Sequence, residues 1–547
     1  MRRITATGPG LVVALALVLT ACSSSSTPSA ATPPASKSAA ANAPGYTRPP
    51  CRLRRPAPPT VTPVAGVDHD FAMTSFDGSE IRMHWFPLDH EAPTVMMGPG
   101  WGEAGATQTS GTGLFGDSPI AKLQQEGYHV LTWDPRGFGV STGTITVDSK
   151  DAEARDVQLM MDWLATQDLV QLDGTTDPRV GMVGGSYGGG IQLVTAAIDC
   201  RVDAIVPTIA WHSLGTSLNK ANTVKIGWST LLYSAAAGRK LDPHITSSYN
   251  AGVATGVISP EDKAWFISRG PGRLINQITA PTLFIQGTVD TLFTLDEAVT
   301  NYEILRARRI PTAMLWYCGG HGTCLTDEGD TARSNAATAT WLQRWLKRDA
   351  AVDTGPRVDI IDQHGSSFTA NDIPFATGSV LTADGSGTLS LTADGGSGPA
   401  QATGSGAGAP IGTVALSITP ASASNSVDLK ITAATPGTSA AAPKLTITYT
   451  GTSPPGERPT RVFAQLVDDA TGLVLDNQVT PIAVALDGKR HTVAIPLEMI
   501  SHTFAAGESA TLQLVASTVA YAPPRFGGTI NFTKIHIELP IAKGLKP

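Results

Sequence analysis

The most informative segment of the chain is Arg179-Val-Gly-Met-Val-Gly-Gly-Ser-Tyr-Gly-Gly-Gly-Ile-Gln192. It places Ser186 between Val180 to Val183, which has the pattern of a buried strand, and Ile191 to Ile198, which has the pattern of a helix. The glycines two residues before and after the serine carry no side chain, so the chain can turn sharply there. Such a turn pushes a serine out of the sheet edge, and the pattern predicts a nucleophile elbow rather than a purely structural glycine-rich turn.

An acid and a histidine follow the serine, each just beyond a predicted strand. Pro281-Thr-Leu-Phe-Ile-Gln-Gly287 is an apolar strand, and Asp290 follows it. Ile310 to Tyr317 is the next strand, and His321 follows it in a glycine-rich loop. Asp296 is a rival acid, but its place indicates the start of the following helix. The order serine, acid, histidine predicts a catalytic triad.

Each residue type has a chemical reason to be there. Serine becomes a good nucleophile when a neutral imidazole takes its proton, and an aspartate holds the imidazole tautomer. The developing oxyanion needs backbone donors already in place. We expect the N–H of Tyr187 and the N–H of Trp101, in the loop Gly98-Pro-Gly-Trp-Gly102, to supply them, with Gly100 as the alternative register.

Four motifs together identify a family resemblance: Gly98-Pro-Gly-Trp-Gly102, Trp133-Asp-Pro-Arg-Gly-Phe-Gly-Val-Ser141, Gly184-Gly-Ser-Tyr-Gly188 and Gly287-Thr-Val-Asp290. This set resembles the α/β-hydrolase superfamily, and within it the group that contains cocaine esterase, NonD-type acyl hydrolases and X-prolyl dipeptidyl aminopeptidases. The resemblance implies an α/β-hydrolase sheet with an inserted helical cap, followed by an all-β jelly-roll-like sandwich.

The domain boundaries follow from that architecture. We expect the hydrolase domain at residues 61–350, with the cap at 211–278, and the sandwich at 351–547. Short runs rich in Val, Ile and Thr alternate with turn residues in the last part, which is typical of a sandwich. The segment 378–412 is rich in Gly, Ser and Ala and is predicted to be a partly mobile loop.

The amino terminus has the pattern of an export signal. Met1-Arg-Arg3 is positively charged, and Leu11 to Leu19 is apolar but too short to span a membrane, so residues 1–21 read as a signal peptide. Leu19-Thr-Ala-Cys22 resembles a bacterial lipobox, in which Cys22 is lipidated; an ordinary cleaved signal peptide is the alternative. Residues 22–60 then form a disordered tether, which predicts a protein lipid-anchored on the outer face of the bacterial cytoplasmic membrane.

The other four cysteines lie in a compartment that permits disulfides, and they allow three pairings. We favour Cys318 with Cys324, because that bond would staple the loop of His321, which leaves Cys51 with Cys200. A zinc site made of Cys318, His321 and Cys324 is the competing interpretation. Export to an oxidising compartment favours the disulfides, and the serine elbow already gives His321 a catalytic role. We therefore predict neither a metal nor a cofactor.

The composition excludes some partners. The formal net charge is −7 and the pI about 5.9, so no basic footprint for nucleic acid is present. We expect a serine hydrolase that cleaves a small carboxylic ester, or an amide, through an acyl-enzyme on Ser186. The alternatives are an X-Pro dipeptidyl peptidase acting on short peptides and, from another class, an envelope glycan-binding lipoprotein whose hydrolase domain is secondary.

Overall fold

The computed structural model describes residues 46–53, 57–110, 112–113, 116–117, 119–401 and 415–547. The predicted signal peptide, Cys22 and most of the predicted tether lie outside the described residues. Among the helices that are described, none combines the length and the apolar character needed to cross a membrane.

The first part of the chain builds a large mixed sheet. In chain order its strands and two small hairpins are β1 Val61–Pro63, β2 Asp70–Thr74, β3 Glu80–Phe86, β4 Thr94–Met97, β5 Thr112–Gly113, β6 Gly116–Asp117, β7 His129–Trp133, β8 Leu172–Gly174, β9 Asp177–Pro178, β10 Val180–Gly185, β11 Val202–Thr208, β12 Thr282–Gly287, β13 Thr312–Tyr317, β14 Val358–Ile361 and β15 Ser367–Ala370. Eleven of these strands pair in the order β1-β2-β3-β7-β4-β10-β11-β12-β13-β14-β15. Strands β7 to β14 in that order are parallel, and the strands at both edges are antiparallel.

Helices cover both faces of this sheet, as the buried character of its strands requires. They are α1 Pro119–Gln125, α2 Glu153–Leu164, α3 Tyr187–Ile198, α4 Leu214–Ser217, α5 Ile226–Ala235, α6 Pro243–Thr255, α7 Pro260–Ile267, α8 Leu295–Ala307 and α9 Arg333–Trp345, with 3-10 helices at Lys220–Asn222 and Gly272–Gln277. Successive strand residues point to opposite faces, so Ile205 joins one apolar core and Val206 the other. Because parallel strands end at the same edge, the loops after β4, β10, β12 and β13 meet there.

Four short helices, α4 to α7, lie between β11 and β12, within the segment for which the cap is predicted. These helices pack against the hydrolase domain, and the apolar core between them includes Leu214 and Trp228. Local signals fix the helix starts: Asp242 accepts from the N–H of His244 and precedes Pro243 at the first turn of α6.

The last part of the chain is all-β, as expected. Its strands are β16 Ala376–Ser390, β17 Ser426–Thr432, β18 Gly437–Ala441, β19 Lys444–Thr452, β20 Arg461–Asp468, β21 Val474–Ala483, β22 His491–Pro496, β23 Ile500–Phe504, β24 Ser509–Val515 and β25 Thr529–Lys543. Two four-stranded sheets, β16-β25-β19-β22 and β17-β24-β20-β21, enclose one apolar core, and β18 pairs with β23 beside them. The predicted α/β fold with a cap and an all-β carboxyl-terminal region is confirmed.

Three details differ from the sequence predictions. The large sheet extends past the expected boundary at 350, because β14 and β15 pair onto β13. The segment 46–53 of the predicted tether is bound to the domain, since Arg48 Nη1 lies 2.8 Å from Asp203 Oδ1. The predicted loop at 378–412 is wrong for its first part, which belongs to strand β16, while residues 402–414 lie outside the described residues.

The reason for that strand is packing against the facing sheet. A Cβ atom on Gly385 would lie 2.8 Å from Leu429 Cδ1, and one on Gly387 would lie 2.5 Å from Val427 Cγ1. The glycines therefore allow the two sheets to approach closely, which a composition-based prediction of a loop misses.

Candidate active site

Ser186 stands on the turn between β10 and α3. Its φ is 56°, a left-handed conformation that costs energy for a residue with a side chain. The turn also packs directly on the loop after β4, because a Cβ atom on Gly188 would lie 2.1 Å from the carbonyl oxygen of Gly98. Only glycine fits there, and the backbone of the predicted elbow is therefore held against the predicted oxyanion loop.

The structure brings Ser186, His321 and Asp290 into one chain of hydrogen bonds. The distance from His321 Nε2 to Ser186 Oγ is 2.8 Å, and the distance from His321 Nδ1 to Asp290 Oδ2 is also 2.8 Å. Asp290 is fully buried, and the histidine side chain is 12% exposed. This arrangement can move a proton from the serine hydroxyl to an imidazole whose tautomer the carboxylate fixes.

The acid is fixed by its own loop. Asp290 Oδ1 accepts from the backbone N–H groups of Leu292 and Phe293 at 3.0 and 2.8 Å, which leaves Oδ2 for the histidine. The rival Asp296 lies in the first turn of α8, 3.7 Å from Lys220 Nζ, and is not part of this chain.

The ring of His321 is held by aromatic side chains. Phe293 and Trp228 meet it edge to face at 5.0 and 5.7 Å between ring centroids. A Cβ atom on Gly320 would lie 2.7 Å from Asp290 Cβ, so the glycine before the histidine allows the two loops to touch. Sequence reasoning predicted neither ring contact.

The three candidate oxyanion donors differ in their surroundings. The N–H of Gly100 donates to Glu103 Oε2 at 3.1 Å and is therefore occupied. The backbone N–H groups of Trp101 and Tyr187 have no acceptor within the part of the chain that the structure describes. Trp101 and Tyr187 also line cavities that reach Ser186. These contacts favour Trp101 over Gly100 as the second donor.

Glu103 is the carboxylate closest in sequence to that loop. Burial raises its pKa above the usual range for a glutamate. Its bond to Gly100 N–H fixes the loop conformation, and Asp134 fixes the following part by accepting from the N–H of Gly105 at 2.8 Å. Both carboxylates therefore act on the backbone of the loop that follows β4.

Both disulfides are present in the structure. Cys318 and Cys324, which flank His321 in sequence, form one disulfide, and Cys51 and Cys200 form the other. These are the pairings favoured from the sequence. The first bond leaves neither sulfur as a thiolate for the alternative zinc site. Among the described residues no cluster of His, Cys, Asp and Glu has the makings of a metal site.

The sandwich contributes residues to the site that the sequence did not indicate. Gln478 Nε2 donates to the carbonyl oxygens of Asp290 and Thr288 at 3.1 and 3.4 Å, and Asn477 Nδ2 donates to Thr323 O at 2.9 Å. Asn477 has a φ of 56°, so strand β21 departs from regular geometry at this contact. No periodicity or motif marks these positions, because the signal lies only in the docking of the two regions.

A buried lysine supports the acid loop from the cap. Lys225 Nζ donates to the carbonyl oxygens of Thr291 and Leu292 at 2.8 and 3.0 Å. Burial lowers the pKa of Lys225. Nearby, Lys220 Nζ pairs at 2.5 Å with Glu498, a buried carboxylate of the sandwich. The cap and the sandwich therefore both bond to the loop that carries Asp290.

The chain is similar to several known proteins. Residues 77–323 match the model of the X-Pro dipeptidyl-peptidase (S15) family. Dipeptidyl aminopeptidase BIII of Pseudoxanthomonas mexicana is 29% identical over 264 residues, which are 47% of this chain and 33% of that protein. The chain spans between about a third and about half of the length of the curated relatives it matches.

Two solved structures share the fold over nearly the whole chain. An aminopeptidase from a Thaumarchaeota archaeon of marine sediment superposes with a TM-score of 0.65 at 13% identity, covering 90% of this chain and 99% of its own. A CocE/NonD family hydrolase from Staphylococcus aureus superposes with a TM-score of 0.62 at 12% identity, covering 92% and 100%. Residues 77–323 are therefore similar to the X-Pro dipeptidyl-peptidase (S15) family, which indicates a hydrolase of the serine type, and the chain shares its fold with a CocE/NonD family hydrolase.

Proposed function

We propose that the protein is an exported, lipid-anchored serine esterase that cleaves carboxylic esters through an acyl-enzyme on Ser186. The observation that carries this proposal is the chain of 2.8 Å contacts from Ser186 through His321 to buried Asp290. The N–H groups of Trp101 and Tyr187, which meet no acceptor among the described residues, support the same chemistry.

The reaction has two steps. Ser186 Oγ attacks the ester carbonyl carbon while His321 Nε2 takes the hydroxyl proton, and the carbonyl oxygen receives hydrogen bonds from Trp101 and Tyr187 N–H. The bond to the alcohol oxygen breaks, and His321 gives that oxygen the proton. A water molecule then attacks the acyl-enzyme with His321 as base, which releases the acid and restores the serine.

An ester is favoured over an X-Pro peptide by the charges around the serine. A dipeptidyl peptidase must hold the protonated amino end of its substrate, which calls for carboxylates in the acyl-binding space. The smaller of the two cavities that reach Ser186 is lined, in the described residues, by no charged side chain. Of the two carboxylates in the larger cavity, Glu103 already accepts from Gly100 N–H, and Glu126 has the cations Lys122 and Lys347 near it. The X-Pro dipeptidyl peptidase is the second candidate, because the family model of that name matches residues 77–323 and a dipeptidyl aminopeptidase is 29% identical over 47% of the chain.

An active-site probe tests the nucleophile. A fluorophosphonate should label the purified protein, and Ser186→Ala should remove the label while the far-ultraviolet circular dichroism stays unchanged. Ser517→Ala, a serine of the sandwich, is the control and should keep full labelling. Label that persists in Ser186→Ala would refute the assignment, and a protein that only binds glycan would take no label at all.

A substrate panel separates esterase from peptidase. We expect short p-nitrophenyl esters to be cleaved much faster than Gly-Pro or Ala-Pro anilides, because a missing polar contact in a site built for an amine costs several orders of magnitude in selectivity. An X-Pro anilide that turns over faster than every ester in the panel would replace the esterase with the peptidase.

A substitution at Cys22 tests the proposed lipid anchoring. In a bacterial host, Cys22→Ala should move the protein from the membrane fraction to the soluble exported fraction, because the lipid is attached at that sulfur. Replacing Cys51 instead should leave the protein in the membrane fraction. Equal membrane association of the wild type and Cys22→Ala would contradict lipid anchoring.

A further inference from the structure

Two separate apolar cavities reach Ser186. The larger has a volume of about 580 Å³ and runs along the cap helix α5, with Leu231 and Ala235 in its wall. The smaller has a volume of about 100 Å³ and is lined by side chains such as Leu214 and Phe266. The larger volume falls within the range of pockets for drug-sized ligands, and the smaller holds only a short group.

A fixed partition divides the two spaces. Trp101 and Leu232 line both cavities. The indole Nε1 of Trp101 donates to Leu232 O at 2.8 Å, which ties the partition to the cap. The rings of Phe138 and Tyr187 meet the indole edge to face at 4.9 and 5.3 Å. The indole cannot turn without breaking these contacts, so the two cavities bind two different parts of one substrate.

The position of the histidine assigns each part to a cavity. His321 must protonate the leaving oxygen, and its loop, including Gly322 and Thr323, lines the larger cavity and not the smaller one. The alcohol therefore leaves through the larger cavity, and the acyl group occupies the smaller one. The smaller cavity has no charged side chain in its wall, so we expect an uncharged acyl group there. The larger cavity is mostly apolar, and its charged lining residues include Glu103, Lys122 and Glu126.

On this basis we propose that the preferred substrate is an ester of a short acyl group with a long apolar alcohol, and that the Trp101–Leu232 partition sets this asymmetry. The inference rests on the proposed function, since it requires the ester chemistry at Ser186. The step consumes one water and releases a short carboxylic acid and a fatty alcohol, or a lipid of similar apolar chemistry, with no oxidant or cofactor.

Two matched ester series test the proposal, both followed by acid release at constant pH below the micelle concentration. One series varies the alcohol, with acetates of ethanol, butanol, octanol and dodecanol; the other varies the acid, with ethyl esters of the same chain lengths. We expect kcat/KM to rise roughly twofold to fourfold per methylene of the alcohol, because each buried methylene contributes apolar transfer energy. In the acid series kcat/KM should peak at a short chain and then fall.

Cavity variants locate the effect. Ala235→Phe narrows the larger cavity and should flatten the dependence on alcohol length, whereas Leu214→Ala widens the smaller cavity and should move the acid optimum to longer chains. Ala505→Phe makes the same change at an exposed site of the sandwich and should alter neither series.

The outcomes distinguish the two proposals. If the protein is labelled by the fluorophosphonate but kcat/KM stays constant or falls with alcohol length, the substrate assignment is wrong and the esterase activity still stands. A steep rise with acid length instead of alcohol length would reverse the roles of the cavities and also overturn it. Absence of labelling and of ester hydrolysis would refute the proposed function itself.

Discussion

Replacing Gln478 with leucine tests how far the sandwich positions the catalytic machinery. The change removes the donor to Asp290 O at 3.1 Å and to Thr288 O at 3.4 Å, while it keeps an apolar side chain of similar size. A buried carbonyl group that loses its donor costs about 1–3 kcal/mol, and the loop can lower that cost only by shifting. A shift of the loop moves Asp290 and therefore tilts His321.

Because a misplacement of about 1 Å at a reacting centre can cost about 100-fold in rate, we expect kcat for a short ester to fall by about 10- to 100-fold. The KM should stay within about twofold, since Gln478 does not line either cavity. Steady-state kinetics and the rate of fluorophosphonate labelling measure the effect.

The matched control is Gln465→Leu. Gln465 is also buried in the same sheet, and its Nε2 donates to Ala421 O and Gln513 Oε1, both at 3.0 Å and both within the sandwich. Gln465→Leu should lower the free energy of unfolding by at least as much as Gln478→Leu, about 1–3 kcal/mol or more, because Ser397 Oγ also loses its acceptor Gln465 Oε1. The reasoning fails when kcat of Gln478→Leu equals that of the wild type, or when Gln465→Leu loses as much activity.

Three further perturbations have defined outcomes. Asp290→Asn should lower kcat by about 10³- to 10⁴-fold with little change in KM, because an amide favours the wrong tautomer of His321; a loss under tenfold would contradict its role. Replacing Cys318 and Cys324 together by serine should lower the free energy of unfolding by about 2 kcal/mol, the chain-entropy value for so short a loop, and should lower kcat as well. Calorimetry measures the first effect and ester kinetics the second. An unchanged melting temperature would contradict a stabilising role for this disulfide. Burial lowers the pKa of His502 to about 4, below its unfolded value near 6.5. The stability that this residue contributes is therefore complete above pH 6.5, and about 3 kcal/mol of it is lost as the pH falls toward 4. Denaturant unfolding of His502→Gln should lack this part of the pH dependence, and identical curves for the variant and the wild type would refute it.

The polar residues at three strand ends could be predicted from local sequence patterns. Local patterns are enough for that prediction: glycines that allow a sharp turn, an apolar strand before each polar residue, and the order serine, acid, histidine. In parallel strands these ends meet at one edge, so Ser186, Asp290 and His321 needed no further information to be placed together. The cysteine pairing followed from the same loop, because Cys318 and Cys324 bracket the histidine.

The surroundings of Ser186, His321 and Asp290, in contrast, depend on long-range packing. The support from Gln478 and Asn477, the strand at Ala376–Ser390 and the Trp101–Leu232 partition all depend on contacts between residues far apart in the chain. Such contacts leave no local period or motif, because a glutamine that binds a distant carbonyl looks the same in sequence as one that faces water. Local spacing therefore fixes which atoms react, whereas the packing of cap, sheet and sandwich fixes how they are held and what fits beside them.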